Sequence, residues 1–411
     1  GNSELREYFL QHSAETLEWL ETMGLRFHGP SPEPPNRVPR MHNVIPNARA
    51  YINTLQMRFL RLGGRLLTNA AVTGLLRTND RVTGVTVCVH GTNCEQLAAR
   101  GVVLAAGDYA NNPQMIGEHK GRAFAAVEGI NPHATGDGHR LVASMGGRLR
   151  NMSITYGPEF RFVPPPHKPF SDWLPAGGIA MKLMAAVLPL VPRFVINSLI
   201  KRLLVTWQHP EDALLTDGAI LINRHGQRFC DELASPEREI AVAQQPDKVA
   251  WLLLDQQICE RYSQWPHFIS TAPEIAYAYE DDYLRLRPAV AIAADCLEVL
   301  ASHRNLPAAV LVATAAGVRQ VAGVPDMQRP LLGGRWVLLG PLKAYFTTTE
   351  GGAAIDTSFR VLDQHGQAIS GLYAIGQNGL GGQILWGHGL HIAWAITSGR
   401  LVGRVLAAAS D

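Results

Sequence analysis

The stretch that decides the fold is GLYAIGQNGLGGQILWGHGL, residues 371–390 of this 411-residue chain. Its first five residues predict a short buried strand, and the apolar pattern from about residue 389 predicts a long final helix. Between them lie glycines that let a backbone approach a ligand closely, namely Gly379, Gly381, Gly382, Gly387 and Gly389. Backbone N–H groups at a helix start carry partial positive charge, so this junction is suited to an anionic group.

Three other stretches place small or polar residues at the end of a predicted strand. Residues 101–107, GVVLAAG, form a short apolar run between glycines, which is typical of a buried parallel strand. Residues 218–232, GAILINRHGQRFCDE, predict a strand, a tight turn and an Arg-Phe step before an acidic pair. Residues 349–356 read TEGGAAID. A plain core strand or hairpin explains parts of these stretches singly, but it does not explain Arg228-Phe229.

The rest of the pattern indicates a mixed α/β chain. Helical spacing predicts helices over 4–23, 48–62 and 137–146, and a three-stranded meander starts at residue 65. Residues 248–320 read as mainly helical, with one strand at 251–254.

Composition excludes several classes of protein. The net charge is +2, from 37 basic and 35 acidic residues that are scattered along the chain, so nothing favours nucleic-acid binding. The five cysteines contain no CxxC pair, which argues against a metal site and fits the reduced thiols of a cytoplasmic protein.

In their order and spacing, the four stretches resemble the flavoproteins grouped with soluble fumarate reductase, the succinate dehydrogenase flavoprotein subunit and 3-ketosteroid dehydrogenase. That family has a strand ending in Ala-Thr-Gly-Gly, a Gly-Asp-Gly turn, GAxLVNxxGxRFxxE, TxGGxxID and GLYAxGE before a glycine-rich loop and last helix. The resemblance implies an α/β FAD-binding dinucleotide domain with an inserted α+β cap domain. It implies FAD as cofactor and hydride transfer with flavin N5, the cap bringing substrate and proton donor.

Motifs of this kind occur on both sides of a compositionally different middle. We therefore expect residues 1–152 and 338–411 to form one discontinuous FAD-binding domain and 153–337 to form the cap. By position, the resemblance also implies cofactor contacts. They are Val72 at the adenine; Ala106, Gly107 and Asp137 along the FAD chain; Gly376 with Gln377, which replaces a ribitol-side Glu; and the backbone amides of His391 and Ile392 at the isoalloxazine.

The family's opening GxGxxG fingerprint is not found in these 411 residues, and the family pattern predicts roughly a hundred further residues before them. We therefore expect an N-terminally truncated dinucleotide domain that binds FAD weakly or not at all by itself, because the pyrophosphate normally rests on the helix after that fingerprint. The alternative to an enzyme is a truncated, non-catalytic remnant that does not retain FAD.

Three substrate anchors of the fumarate reductases also differ. By position, Thr347 stands where the fumarate reductases have a His, and a residue at or near Trp386 stands where they have a late Arg. Leu215 stands where they have an earlier Arg of the cap. Because a bidentate Arg–carboxylate contact is strong and specific, its loss argues against a C4-dicarboxylate. Tryptophans of the cap, Trp173, Trp207 and Trp251, favour instead a bulky, mostly neutral small molecule such as a steroid-like enone.

Two residues are candidates for catalysis. Arg238 matches the family's proton-shuttle Arg if its spacing from the preceding Glu, Glu232, is allowed to be two residues longer than in the family. The alternative is a solvated arginine beside Glu237 and Glu239. His388 precedes the last helix and is expected to face the flavin, unless it is an ordinary polar loop residue. The sequence names neither the redox partner nor the electron acceptor.

Residues 179–204 are strongly apolar, but their longest charge-free run is only ten residues, too short to cross a bilayer. Cations interrupt the apolar residues, as in interfacial segments. The segment is therefore predicted to line a substrate entrance or to touch a membrane surface, which would make the protein membrane-peripheral. An ordinary pair of packed cap helices stays an equal alternative.

Overall fold

A computed structural model describes residues 1–32, 36–166, 170–272, 276–317, 323–327 and 329–408. The helices in these ranges are α1 Ser3–Thr22, α2 Arg49–Arg61, α3 Pro113–His119, α4 Asp137–Ser144, α5 Gly178–Val187, α6 Arg193–Trp207, α7 Ala213–Thr216, α8 Glu237–Ala243, α9 Gln256–Arg261, α10 Glu280–Leu286, α11 Leu297–Arg304, α12 Ala308–Ala315 and α13 Leu390–Ala408.

The strands in the same ranges are β1 Phe27–Ser31, β2 Met41–Val44, β3 Ala70–Thr78, β4 Arg81–Val89, β5 Thr92–Leu97, β6 Val102–Leu104, β7 Glu128–Gly129, β8 Leu149–Arg150, β9 Thr155–Tyr156, β10 Glu159–Phe162, β11 Ile220–Ile222, β12 Ala250–Leu254, β13 Ser270–Ala272, β14 Ala276–Ala278, β15 Ala291–Ala294, β16 Trp336–Phe346, β17 Thr348–Thr349, β18 Gly352–Ala353, β19 Arg360–Leu362 and β20 Ala368–Ala374.

The two stretches predicted to be buried strands lie side by side. β20 pairs in parallel with β6, with Leu372 opposite Val102, and β19 adds a third, antiparallel strand. Gly371, inside β20, has φ +76°, and a Cβ there would lie 2.3 Å from the Val82 carbonyl oxygen, so the close approach of β20 to β4 needs glycine at this position. Helices α1 and α13 cover the sheet through Phe9 and Trp394, whose rings meet edge to face. The parallel pairing therefore joins parts of the chain about 270 residues apart.

A larger, six-stranded sheet is built around β16. β10, β12 and β15 pair with it antiparallel, β7 pairs with it in parallel, and β11 extends the sheet beyond β12. The first five residues of β16, WVLLG, are all buried, which explains the absence of alternation in its sequence. The predicted domain limit between residues 337 and 338 falls inside this strand, and the domain limits stay a prediction.

Residues 248–320 contain the expected helices, α9 to α12, and the expected strand β12, but they also contain strands that were not predicted. Besides β12, the described part holds β13, β14 and β15 between the helices. These strands are three or four residues long, too short for a period-two pattern to stand out, and β15 is held by its long-range pairing with β16.

The chain passes between the β19–β20–β6 sheet and the six-stranded sheet more than once, and we name the passage at β8, β9, β17 and β18 the crossing point. On the way out, β8 and β9 pair antiparallel with β18 and β17 of the returning chain. The crossing holds the loop after β17 against the end of β6, which positions the candidate site. Every helix in the described ranges is too short or too polar to span a bilayer.

Candidate functional site

Asp108, just beyond β6, is the centre of a buried hydrogen-bond cluster. Its Oδ2 accepts from Thr348 Oγ1 at 2.7 Å, from the Thr349 amide at 2.9 Å and from Gln377 Nε2 at 3.3 Å. Gln377 Nε2 also donates to Thr348 Oγ1. The predicted cofactor residue Gln377 is therefore held against the crossing point by the carboxylate that directly follows the motif of residues 101–107.

Asn378 ties the end of β6 to the glycine-rich loop. Its Oδ1 accepts from the Ala106 amide at 2.5 Å, and its Nδ2 donates to the Gly107 carbonyl at 2.9 Å and to His139 Nδ1 at 3.2 Å. His139 Nε2 in turn donates to the Gly351 carbonyl at 2.9 Å. Burial lowers the pKa of His139, which favours the neutral ring that this pattern requires. Sequence reasoning missed Asn378, whose only signal was its place beside Gln377.

The backbone next to this cluster is open. Ala106 is exposed, and Gly107 has φ +78° with nothing within 4 Å of a built Cβ. A flat or extended ligand can therefore approach the peptide groups here without meeting a side chain. Asp137, the first residue of α4, is exposed and paired with Arg140. The next two residues, Gly138 and His139, face Asn378.

A second set of polar atoms lies at the start of α13. His391 Nε2 is 3.1 Å from Glu350 Oε1, yet both atoms are buried without a hydrogen bond among the described residues, as is Gln383 Oε1. The other Glu350 oxygen accepts from the Leu385 amide at 3.1 Å. Buried polar atoms are normally satisfied, so these side chains have unused hydrogen-bonding capacity at the start of α13.

A third cluster, on the cap side, surrounds His209. The ring is largely buried and its Nδ1 has no hydrogen bond among the described residues. Burial lowers the pKa of His209; the charges of Arg161 and His388 also lower it, while those of Glu159 and Asp212 raise it. His388 therefore comes within electrostatic reach of the cap. Sequence reasoning missed His209, because none of the quoted motifs includes it.

Arg238 is buried, so its interpretation as a solvated surface arginine is wrong. Its Nη2 is 2.7 Å from Asp212 Oδ1, its Nε donates to Glu239 Oε1 at 2.6 Å, and its Nη1 donates to the Glu232 carbonyl at 2.9 Å. The guanidinium also lies over the Phe160 ring at 5.6 Å. The first turn of α8 points inward, which places both Arg238 and Glu239 in the interior.

The motif at residues 218–232 holds this arrangement in place. Glu232 accepts a hydrogen bond from Arg228 Nη2 at 2.6 Å, a bifurcated one from Arg228 Nε at 3.0 Å to each oxygen, and one from the Leu221 amide at 3.0 Å. Arg228 and Glu232 are nearly fully buried. The Arg-Phe step and the acid after it are thus structural: they fix the backbone carbonyl that Arg238 contacts.

The remaining predicted residues lie outside these clusters. Thr347 donates to Glu159 Oε1 at 2.8 Å, at the edge of the His209 cluster. Val72, Trp386 and Ile392 are exposed, and Val72 pairs opposite Val87 in the β3–β4 ladder. A cleft of about 560 Å³ elsewhere in the cap contains none of the predicted site residues.

The three cap tryptophans do not form one ligand-binding wall. Trp251 is buried in a core cluster with Ile222 and Leu338, whereas Trp173 is exposed. The side chain of Trp207 lies outside the part of the chain that the structure describes.

Comparison with protein families identifies what these clusters belong to. The model of the FAD binding domain matches residues 1–167 and 176–383, well over half of the chain. The chain belongs to the FAD binding domain family. Its cofactor is FAD, and the α/β class with an FAD-binding fold is confirmed. The open backbone at Gly107 and the unused polar atoms at the start of α13 fit such a cofactor.

Individual relatives of this FAD-binding chain are reductases. It is 24% identical to a probable fumarate reductase, Ifc3, of Shewanella frigidimarina over 96% of its own length and 59% of the relative. It is 25% identical to the vinyl phenol reductase of Lactiplantibacillus plantarum over 98% of its length and 80% of that relative. The chain thus spans 59% of the length of the first relative.

The fold matches a solved structure. The open conformation of a flavocytochrome c3 fumarate reductase superposes with a TM-score of 0.64 at 22% identity, covering 97% of this chain and 63% of the other. At that identity the match establishes the fold alone.

Proposed function

We propose that this chain is part of an FAD-dependent oxidoreductase that reduces or dehydrogenates a C=C bond next to a carbonyl group. Family membership supports the redox chemistry, and FAD when bound supplies hydride exchange at its N5 atom. The observation that carries the finer proposal is the Arg238 guanidinium, buried and held by carboxylates beside the His209 cluster.

Arg238 has the geometry of a fixed proton donor. Reduction of a C=C bond by hydride leaves the second carbon in need of a proton, and a positioned acid lowers that barrier. The guanidinium donates from Nε to Glu239 and from Nη1 to the Glu232 carbonyl. Its Nη2 donates to Asp212. Because Asp212 is largely exposed, it can return a proton from water to the buried arginine.

His209 is suited to orient the substrate carbonyl. Its lowered pKa favours a neutral ring, which carries one N–H donor. A ring nitrogen without an internal partner is free to bind a carbonyl oxygen, and such a bond strengthens as negative charge develops on that oxygen.

The charges of this region favour a neutral substrate. Arg161 is paired with Glu159, and Arg238 is paired with Asp212 and Glu239. Both arginines are thus already compensated, and a dianionic substrate would have to be desolvated without a free cation among these residues. Thr347 and the buried Leu215 add no charge. Because Trp251 belongs to the core, the tryptophans give no support to a bulky substrate, and the charges support only the preference for a neutral one.

Fumarate reduction is the second candidate, favoured by the names of the relatives. A substrate panel at saturating FAD, with a reduced viologen as donor and a dye as acceptor, separates the two. We expect larger kcat/KM for neutral enones or ketosteroids than for fumarate or succinate. Equal or better turnover of fumarate or succinate contradicts the proposal.

The remnant hypothesis has its own test. We expect the purified 411-residue chain to retain less than stoichiometric FAD, because it lacks a GxGxxG helix for the pyrophosphate. The flavin absorbance of the purified protein measures this. Retained stoichiometric FAD would overturn the expectation of weak binding, whereas absence of turnover at saturating FAD would favour a non-catalytic chain.

A further inference from the structure

Helix α5 turns an apolar face outward. Ile179, Leu183 and Val187 are four residues apart on α5, and two more large apolar side chains follow in sequence, Leu190 in the turn after α5 and Phe194 at the start of α6. These five side chains, which we name the apolar stripe, are between 46% and 85% exposed. Large apolar side chains that form a contiguous exposed patch mark an interaction site more often than an accident of packing.

The stripe belongs to an anchored segment. On the opposite face of α5, Met181 is buried in a cluster with Leu20, Leu25 and Ala50. At the far end of α6, Leu204 and Val205 are buried in a large core cluster that also contains Phe160 and Leu342. The segment is therefore packed at both ends, while its most apolar line faces solvent. An ordinary packed helix pair would turn that line inward.

The charge around the stripe selects its partner. Residues 173–210 contain no Asp or Glu, but they contain Lys182, Arg193, Lys201 and Arg202, so their formal charge is +4 − 0 = +4. The whole 411-residue chain carries only +2. Lys182 lies on the stripe itself, one turn from Ile179, and it is exposed. Lys201 is paired with Asp282, so the local field rests mainly on the other cations.

We propose that the apolar stripe inserts into the interface of an anionic lipid membrane. A short helix whose apolar line is flanked by Lys and Arg, in a segment that itself contains no acid, combines the two attractions that hold interfacial helices. Long cationic side chains can reach headgroup phosphates while their stems lie along the apolar surface. Trp173, exposed at one end of the segment, is the residue type that prefers this interface. The proposal is independent of the reaction proposed above.

Vesicle co-sedimentation tests the proposal. The full chain is mixed with phosphatidylcholine vesicles that contain roughly 30% phosphatidylglycerol, and with pure phosphatidylcholine vesicles as the neutral arm. We expect binding to the anionic vesicles that weakens with added salt. The double variant I179D/L183D should lower the partition coefficient at least about tenfold, because two buried apolar contacts are lost.

Controls separate a membrane surface from other occupants. Leu97→Asp changes a side chain that is 81% exposed on β5 and should leave vesicle binding unchanged. Because both side chains face solvent, we expect I179D/L183D to unfold at the same Tm as the wild type, and an equal Tm would show that the fold is intact. Failure of the wild type to bind anionic vesicles, or equal binding by I179D/L183D, overturns the proposal. A dimer in sedimentation velocity that this double variant dissociates also overturns it, in favour of a second copy.

Discussion

Arg238 Nη2 and Asp212 Oδ1 are 2.7 Å apart, although the arginine side chain is 5% exposed and the aspartate side chain is 75% exposed. The pair therefore spans the boundary between the interior of the cap and water. A buried charge of this kind is costly to leave alone, so removal of either partner has effects on both stability and chemistry.

Arg238→Gln should lower kcat by about 10²–10⁴-fold if Arg238 delivers the proton. Asp212→Asn should lower kcat less than Arg238→Gln does. It should also make kcat depend more strongly on buffer concentration, because small buffer acids must then return the proton to Arg238. Steady-state kinetics at saturating FAD measure both. Arg224→Gln is the matched control, since Arg224 and its partner Asp247 are both more than half exposed. A purely structural Arg238 predicts a lower Tm with no change in kcat per folded molecule.

Acid should destabilise the folded chain through His209 and His139. Burial lowers the pKa of both rings in the folded state, so below about pH 6.5 the unfolded chain binds more protons and the free energy of unfolding falls. Urea unfolding at pH 7.5 and 5.5 should show a smaller loss for His209→Gln than for the wild type. The exposed His303→Gln should not change the loss. An unchanged loss in His209→Gln would contradict the buried, neutral ring.

Glu280 should act in the opposite direction. Burial raises the pKa of Glu280 to about 7, against the lowering effect of Arg335, whose Nη2 lies 2.8 Å from the carboxylate. Between its ordinary pKa of 4.5 and about 7, the unfolded chain releases a proton that the folded chain keeps. The free energy of unfolding contributed by this group therefore falls as pH rises through that window.

Glu280→Gln should lose less stability than the wild type between pH 4.5 and 8 in urea titrations. The substitution keeps the size of the side chain and one oxygen that can face Arg335, and it removes the group that titrates. Exposed Glu118→Gln serves as the control. A steeper loss in Glu280→Gln would mean that Arg335 dominates over burial.

Gly138→Ala should break the link between α4 and the end of β6. A Cβ at Gly138 would lie 2.3 Å from Asn378 Oδ1, so Asn378 must give up its contacts with Ala106 and Gly107. We expect a destabilisation of about 1–3 kcal/mol. Gly403→Ala in α13, where a Cβ meets nothing within 4 Å, should be neutral or stabilise by about 0.5–1 kcal/mol. Chemical denaturation compares the two, and equal effects would argue against the steric account.

The clearest successes of sequence reasoning concern local pattern. The helices ending near Thr22 and Arg61 and the final α13 agree with their predicted spans, because periodicity and glycine stops are written in neighbouring residues. The site was harder to predict. Asn378 contacts Ala106 across 272 residues, and Asp212 contacts Arg238 across 26, so no local pattern links either pair.

By itself, the sequence determined the order of strand, glycine loop and helix at residues 371–390, the resemblance to one flavoprotein family and its cofactor, because these depend on residue types at short spacing. Only the tertiary structure decided which faces are covered. In the structure Arg238 is buried, although the sequence allowed it to be a surface residue. The large apolar side chains from Ile179 to Phe194 are exposed. Burial depends on neighbours brought together from distant parts of the chain, and periodicity defines a face of a helix without stating what packs on it.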